Sequence, residues 1–420
     1  MTFKLFAIGT VLIGVAGSMF AQPAPGLLPP SVTGKPLDKV TPTSAVVAKA
    51  FPMDRFKTAG QTAEAMTALD SCREAAGWLG RMSKVDGRVV AALDATLQRE
   101  LQGSDVAQAQ ACLAMARYAK FSGDDKLAAA ASQLCLTLLA GCKPSAKDES
   151  IRVPSVADED GQRVLHAAYL CMAICELPNP EAKLIVEANK LGRFLYTTLR
   201  EDGSVQAGCT GEKAELAAGV CFQALMVCDG VAPEAWKREA LARGITFYRT
   251  AFAKAKSATL GCAMLPAVVD YALRLKSEPA NAFALEMADD LCERQYTATE
   301  AKQLRWVGAV KPSKGEEPNL QTAEAAQALA SAITLCIQIP DATRFQRYRT
   351  ACSKAFGFVR QCQFDDNNTK HFERSFRVTY LVGSAHNSLT DGQTRAEHTA
   401  SVLLCQLRFL ECGGEKVTDR

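Results

Sequence analysis

Apolar residues recur along this chain at three- and four-residue spacing, the period of amphipathic helices rather than sheet strands. The pattern is plainest over residues 319–366. There a small-residue stretch (NLQTAEAAQALASAITLCIQI), a tight Pro-Asp turn, a bulkier stretch (RFQRYRTACSKAFGFVRQCQ) and an acidic exit, FDD, read as one helical hairpin. The unit recurs. GWLGRMSKVDG at 77–87, GRFLYTTLREDG at 192–203 and GFVRQCQFDD at 357–366 place Trp78, Phe194 and Phe358 seven or eight residues before an Asp of the exit. Cys72 and Cys352 hold matching places, five residues before Gly77 and Gly357.

Taken in order, the periodicity predicts a bulkier first helix over 62–82, then pairs at 105–120 with 125–140, 161–176 with 181–200, 212–228 with 233–253, 259–276 with 280–296, and 320–338 with 342–362. The loop 83–104 is expected to hold a short helical piece. One helix of the small-residue type remains, from about 395 to 410. A first helix without a predecessor and a last helix without a successor are both satisfied if they pack on each other, whereas an open solenoid leaves two bare apolar faces. The fold class is therefore all-α, an (α/α)6 toroid of six helical hairpins. Turns inside hairpins are short, such as LPNP at 177–180 and IPDA at 339–342, and the connections between hairpins are long. In a closed ring all the long connections lie on one rim, where binding residues collect.

Composition adds limits. The 420 residues are 48% hydrophobic and 22% charged, which is globular, and 48 Lys+Arg nearly balance 45 Asp+Glu. No basic run can track a phosphate backbone, so nucleic acid is excluded as a partner. Aromatic content of 7%, with three Trp, argues against a broad sugar-stacking groove. Residues 1–21 read as an export signal too short for a comfortable membrane span, residues 22–57 as a Pro- and Thr-rich leader, 58–412 as the toroid domain and 413–420 as a tail. The expected location is outside the cytoplasm, periplasmic or extracellular, with no stable membrane span after signal removal. The 16 Cys lie mostly on apolar helix faces and read as small buried hydrophobes, with Cys112–Cys135 and Cys336–Cys352 placed to bridge their hairpins on oxidation. Cys171 and Cys175, four apart, make half a metal site, but no couple beside them in sequence completes it.

The helix form Thr-x-x-x-x-Gln-Ala-Leu-x-x-Ala, beginning at Thr322, and the ending Phe-Leu-x-x-x-x-x-x-Asp-Gly, at Phe194 to Gly203, resemble the repeats of α/α toroids related to terpene cyclases and prenyltransferase β subunits. Ala-rich helices with Asp-Gly exits also occur in six-hairpin glycosidases and uronate lyases. The resemblance implies the toroid and no activity, since the Asp-x-Asp-Asp acid motif is absent and Asp289-Asp290 falls in mid-helix. Gly208 to Glu212 resembles the thioester loop of complement-like toroids in broken order, without its Gln. The final block, LTDGQTRAEHTASVLLCQLRFLE, resembles the C-terminal end of repeat-built exported toroid proteins.

Candidate chemistry concentrates at 365–398, which holds three of the four histidines. His398, Glu397, Arg395 and His371 are candidate acid–base or electrophilic groups, with Arg377 and His386 as ligand-binding neighbours. Asp391 and Glu397 also fit plain turn and cap roles. Inner-helix starts supply a second set: Glu324 as a catalytic acid, Glu215 and Asp160 as ligand-binding groups, and Glu212 and His166. Two carboxylates facing across the ring, roughly 5.5–9.5 Å apart, would suit glycosidic cleavage. Trp306, in a long loop, either stacks on a ring-shaped ligand or seals its loop. No phosphate loop, nucleotide fingerprint, His-Glu-x-x-His or calcium loop occurs, so no cofactor or metal is expected. The function expected is an exported hydrolase or lyase acting on carbohydrate or cell-wall material at the long-loop rim. The alternatives are a non-catalytic binder of a carbohydrate, peptide or lipid-like molecule, and a structural member of an exported assembly.

Overall fold

A computed structural model describes residues 62–94, 99–156, 161–312, 315 and 317–412. The expected signal, leader and tail, and the candidate Asp160, lie outside the described residues. The described chain forms α1 (Ala63–Arg81), α2 (Asp105–Ser122), α3 (Asp125–Ala140), α4 (Gln162–Glu176), α5 (Ala182–Thr197), α6 (Glu212–Val231) and α7 (Ala235–Lys254). It continues with α8 (Ala258–Leu275), α9 (Glu278–Glu293), α10 (Gln321–Gln338), α11 (Ala342–Gln361), the single turn α12 (Arg374–Phe376) and α13 (Ala396–Cys412). Polar caps start many of them. Thr62, Ser104, Asp124, Ser257, Ser277 and Asp341 each accept a hydrogen bond from a first-turn backbone N–H.

Helices α2, α4, α6, α8, α10 and α13 pack each on the next, and α13 returns to α2. This is the closed inner ring. Outside it, α3, α5, α7, α9 and α11 cover their preceding partners, and α1 covers α13, so the first and last helices pair as the repeat arithmetic requires. The two helix types follow from position. An inner helix is wedged between two neighbours and an outer one, so α10 buries residues almost all round, half of them Ala. An outer helix buries one face, and α11 does so with Tyr348, Phe356, Phe358 and Val359.

The recurring Asp-Gly exits are one turn used twice. In the first, Lys84 N–H donates to Arg88 O at 2.7 Å, Asp86 accepts from Arg88 N–H at 3.0 Å, and Gly87 takes φ +84°. In the second, Arg200 N–H donates to Ser204 O at 2.8 Å, Asp202 accepts from Ser204 N–H at 2.9 Å, and Gly203 takes φ +90°. A side chain at either glycine would enter a region disfavoured for L residues.

The long connections differ from expectation in one respect. Instead of a helical piece, 83–104 contains β1 (Ala92–Asp94) and β2 (Arg99–Leu101), and β1 pairs antiparallel with β5 (Gln393–Arg395), the segment leading into α13. The Val-Val-Ala-Ala-Leu run at 89–93 suits an extended strand. A second hairpin joins β3 (Cys142–Pro144) to β4 (Arg152–Pro154).

Charged pairs cross the opposite end of the ring. Arg117 of α2 pairs with Glu411 of α13 at 2.7 Å, and Arg408 of α13 reaches Asp270 of α8 at 3.6 Å and the Ser331 hydroxyl of α10 at 2.9 Å. Lys120 meets Glu176 of α4 at 3.1 Å. Helices α6 and α8 are long and apolar enough to cross a membrane, but here they are inner-ring helices.

Candidate active site at the mouth of the inner ring

Every inner helix contributes to one pocket through the first half or middle of its length. Gln110 comes from α2, Tyr169 from α4, Gln223 from α6, Glu324 and Gln327 from α10, and Ser401 from α13, above apolar walls that include Leu113, Met172, Val220 and Leu404. The Gln110 amide donates to Ser401 Oγ at 2.8 Å, and the Gln223 amide donates to Ala263 O at 2.6 Å. The cavity holds about 40 Å³. At roughly 10–15 Å³ per water it takes two to four waters, or one arm of a larger molecule seated in the mouth.

Glu324 is the one carboxylate in that lining. It stands in the first turn of α10, half-buried, and burial alone pushes its carboxyl up to about 7. The helix start works the other way but is worth only about 0.3–1 kcal/mol. A shift from 4.5 to about 7 corresponds to roughly 3 kcal/mol, so desolvation wins. Tyr169, half-buried in the same wall, is pushed up by desolvation and then by the Glu324 charge. The site thus offers a carboxylic acid poised near neutrality, a phenol and several amides and hydroxyls.

His398, in the first turn of α13, is half-buried with Nδ1 unpartnered. Burial, then the nearby Arg395 charge, lowers it to about 4. Arg395 ends β5 and bonds Gln393 at 2.9 Å, and it approaches Glu397 at 3.5 Å. His386 and Asp391 are close enough to act on His398 through their charges, so this grouping forms. His386 is buried, hydrogen-bonded to Ser388 O at 2.5 Å, and lowered by burial. Asp391 accepts from the backbone N–H groups of Asn387 and Gln393, a turn role. His371 does not point into the group, being exposed with its ring on Phe372.

Arg377 approaches Asp366 at 3.7 Å in the α12 region. Glu215, in the first turn of α6, accepts from the Ser257 hydroxyl at 2.5 Å, bracing the start of α8. Glu212 is exposed, and His166 is a core residue, 2% exposed with both ring nitrogens unpartnered. Trp306 is buried against Tyr296, so it seals its loop and offers no stacking face. Of this polar lining the sequence singled out Glu324 and not Gln110, Tyr169, Gln223, Gln327 or Ser401. Their signal was faint: a polar residue one to three turns into an otherwise small, apolar inner helix.

No protein-family model matches the chain, and no curated protein matches its sequence. Solved structures match its fold. The cellobiose 2-epimerase from Spirochaeta thermophila DSM 6192 aligns with TM-score 0.56 and 11% identity, over 83% of this chain and 97% of that one. An inactive variant of an α-1,6-mannanase of Salegentibacter sp. HEL1_6, in complex with α-1,6-mannotetrose, aligns with TM-score 0.59 and 8% identity over 84% and 100%. An unsaturated glucuronyl hydrolase specific for heparin gives 0.55 and 12% over 82% and 97%. The chain therefore shares the all-α toroid fold of these structures, and the match does not single out the terpene cyclases and prenyltransferase subunits that its repeat resembles. At such identities the likeness is one of fold.

Proposed function

We propose that this is an exported, carbohydrate-acting toroid enzyme, a hydrolase or lyase, that works at the mouth of the inner ring with Glu324 as its proton donor. The observation that carries the reading is the Glu324 carboxyl, held near 7 in a pocket that all six inner helices build. A neutral carboxylic acid can protonate the leaving oxygen of a glycosidic bond, and the surrounding amides, phenol and hydroxyl match the donors and acceptors of sugar hydroxyls. Three carbohydrate-acting proteins share the architecture, which supports the substrate class. His398 with Arg395 flanks the rim as a neutral, orienting imidazole.

One observation favours a second reading, a non-catalytic saccharide binder. No other carboxylate contributes to the Glu324 shift, whereas acid-catalysed glycoside cleavage ordinarily uses two carboxyl groups within roughly 10 Å. Both readings meet the same test. The secreted protein is incubated with neutral and uronate-containing oligosaccharides, and products are followed by mass spectrometry beside binding by calorimetry. The enzyme reading expects turnover that falls by about 10²-fold or more in Glu324→Gln while binding persists. Binding without turnover supports the second reading, and neither response in any sugar class overturns both.

A further inference from the structure

Three thiols that are remote in sequence meet beneath the surface of the ring. Cys171 and Cys175 lie one turn apart on α4, Cys228 lies near the end of α6, and all three sulfurs fall within 4.8 Å of one another, fully buried. In sequence the first two were half a site. The fold supplies a third ligand from a neighbouring inner helix, 53 positions beyond Cys175.

A second observation points to charge on these sulfurs. Lys237 of α7 has a side chain with no exposure, and it is near enough for its positive charge to act on the Cys228 sulfur. It also donates to Ala232 O, lies over the Trp236 ring at 5.2 Å and stands 3.7 Å from Glu234. Glu234 is already shared, accepting from Arg193 at 2.9 Å and from the Trp236 indole at 2.8 Å. A buried ammonium with so divided a counter-ion needs further negative charge nearby, and thiolate sulfur is the group at hand.

We propose that Cys171, Cys175 and Cys228 bind one thiophilic d10 metal ion, Zn(II) or Cu(I), through three thiolates, with Lys237 as the buried counter-cation. Sulfurs at about 2.3 Å from a common ion lie at most about 4.0 Å apart, so they need close by less than about 1 Å. Soft thiolate donors select these ions over Mg or Ca. Binding needs all three sulfurs as thiolates, so the thiol protons leave to solvent, that of Cys171 from its present contact with Ala188 O at 3.3 Å. Three thiolates, Zn(II) and one ammonium then sum to zero charge. Cu(I) leaves one negative charge but is content with three sulfurs, whereas Zn(II) takes a fourth ligand from water.

The test uses the full chain, purified reduced and without air. It is titrated with Zn(II) and, separately, with Cu(I) held as its acetonitrile complex, against a competing chromophoric chelator, with native mass spectrometry for stoichiometry. One ion per chain is expected, with affinity lowered at least about tenfold in Cys228→Ser and unchanged in Cys336→Ser, a buried thiol outside the cluster. The arm that outcompetes its chelator identifies the ion. X-ray absorption on the unsubstituted protein decides the ligands independently of whether the variant folds: a first shell dominated by three sulfurs supports the site. No bound ion, a shell of nitrogen and oxygen only, an affinity indifferent to Cys228→Ser in folded protein, or a Cys228 disulfide to Cys171 or Cys175 would overturn it.

Discussion

Gln406 of the last helix donates its amide hydrogen to the hydroxyl of Ser71 in the first, 335 positions away. Ser71 passes a hydrogen bond on to Gln363 Oε1, and the Gln363 amide returns to Ser71 O at 3.1 Å and Gly383 O at 3.3 Å. All three side chains are buried, so the seam of the ring is fastened by a small polar cluster inside an apolar contact.

Gln406→Leu is therefore expected to cost about 1–3 kcal/mol, because it strips a donor from Ser71 without removing the burial. Ser71→Ala combined with Gln406→Leu is expected to cost less than the sum of the two, by about 0.5 kcal/mol or more. Denaturant unfolding of the four proteins measures the coupling, and strict additivity would show that the cluster is not one unit.

Two glycines on α6 and α11 should respond with opposite sign. A Cβ on Gly219 would meet Ala263 Cβ at 2.4 Å and its carbonyl carbon at 2.5 Å, where α6 and α8 touch. Gly219→Ala gains about 0.5–1 kcal/mol of helix preference but meets an overpacking cost of about 1–3 kcal/mol, so it destabilises. At Gly357 an added Cβ meets nothing within 4 Å, and Gly357→Ala should stabilise by about 0.5–1 kcal/mol. Thermal midpoints shifting in the same direction would contradict this account of inner-helix contact.

The same small-residue logic explains how much was legible beforehand. Helices such as α3 and α4 were readable to within a residue because their apolar period, polar starts and short turns agree, and the unpaired first and last helices forced closure. Glu324 was readable as an inner-helix start. The rest depended on which positions of six helices converge, as Gln110 and Ser401 do across the seam, and no local spacing encodes that. Which of its two roles Trp306 takes could not be read from the length of its loop, and Cys228 was invisible as a partner of Cys171 because their meeting depends on how α4 and α6 converge.

The sulfurs of Cys112 and Cys135 stand 3.2 Å apart across the α2–α3 hairpin, and burial pushes the Cys112 thiol far up. The folded protein should therefore resist alkylation at this pair. Refolding in a glutathione redox buffer should link it, which peptide mapping detects. Closing a loop of 23 residues would add about 3 kcal/mol of stability. A different bridge, or none, would refute the pairing.

His166 and His398 are both lowered to about 4, chiefly by burial. Neither should titrate between pH 5 and 8 by NMR. Between about 4 and 6.5 the unfolded chain binds more protons at these sites, so they make stability rise with pH through that window. For fully enclosed His166 the effect is on the order of 3 kcal/mol, and it is smaller for partly solvated His398. His166→Leu should remove much of the acid sensitivity, and a variant as acid-labile as the parent would place the cause elsewhere.

Glu324 imposes the opposite slope. Its carboxyl holds a proton up to about 7 in the folded chain and only to about 4.5 when exposed, so the folded state binds more protons between those values. Stability from this residue is greatest below 4.5 and falls as pH rises through 7, by on the order of 3 kcal/mol. Where the histidine and Glu324 windows overlap, from about 4.5 to 6.5, the Glu324 slope offsets part of the slope of the two histidines, so the parent's stability rises with pH less steeply than the histidines alone would make it. Glu324→Gln removes the opposing side of that balance. It should match the parent at pH 4, exceed it at pH 8, and steepen the rise between. If the variant instead parallels the parent from pH 4 to 8, the carboxyl is solvated and ionised in the mouth, and it cannot serve as the proton donor proposed for it.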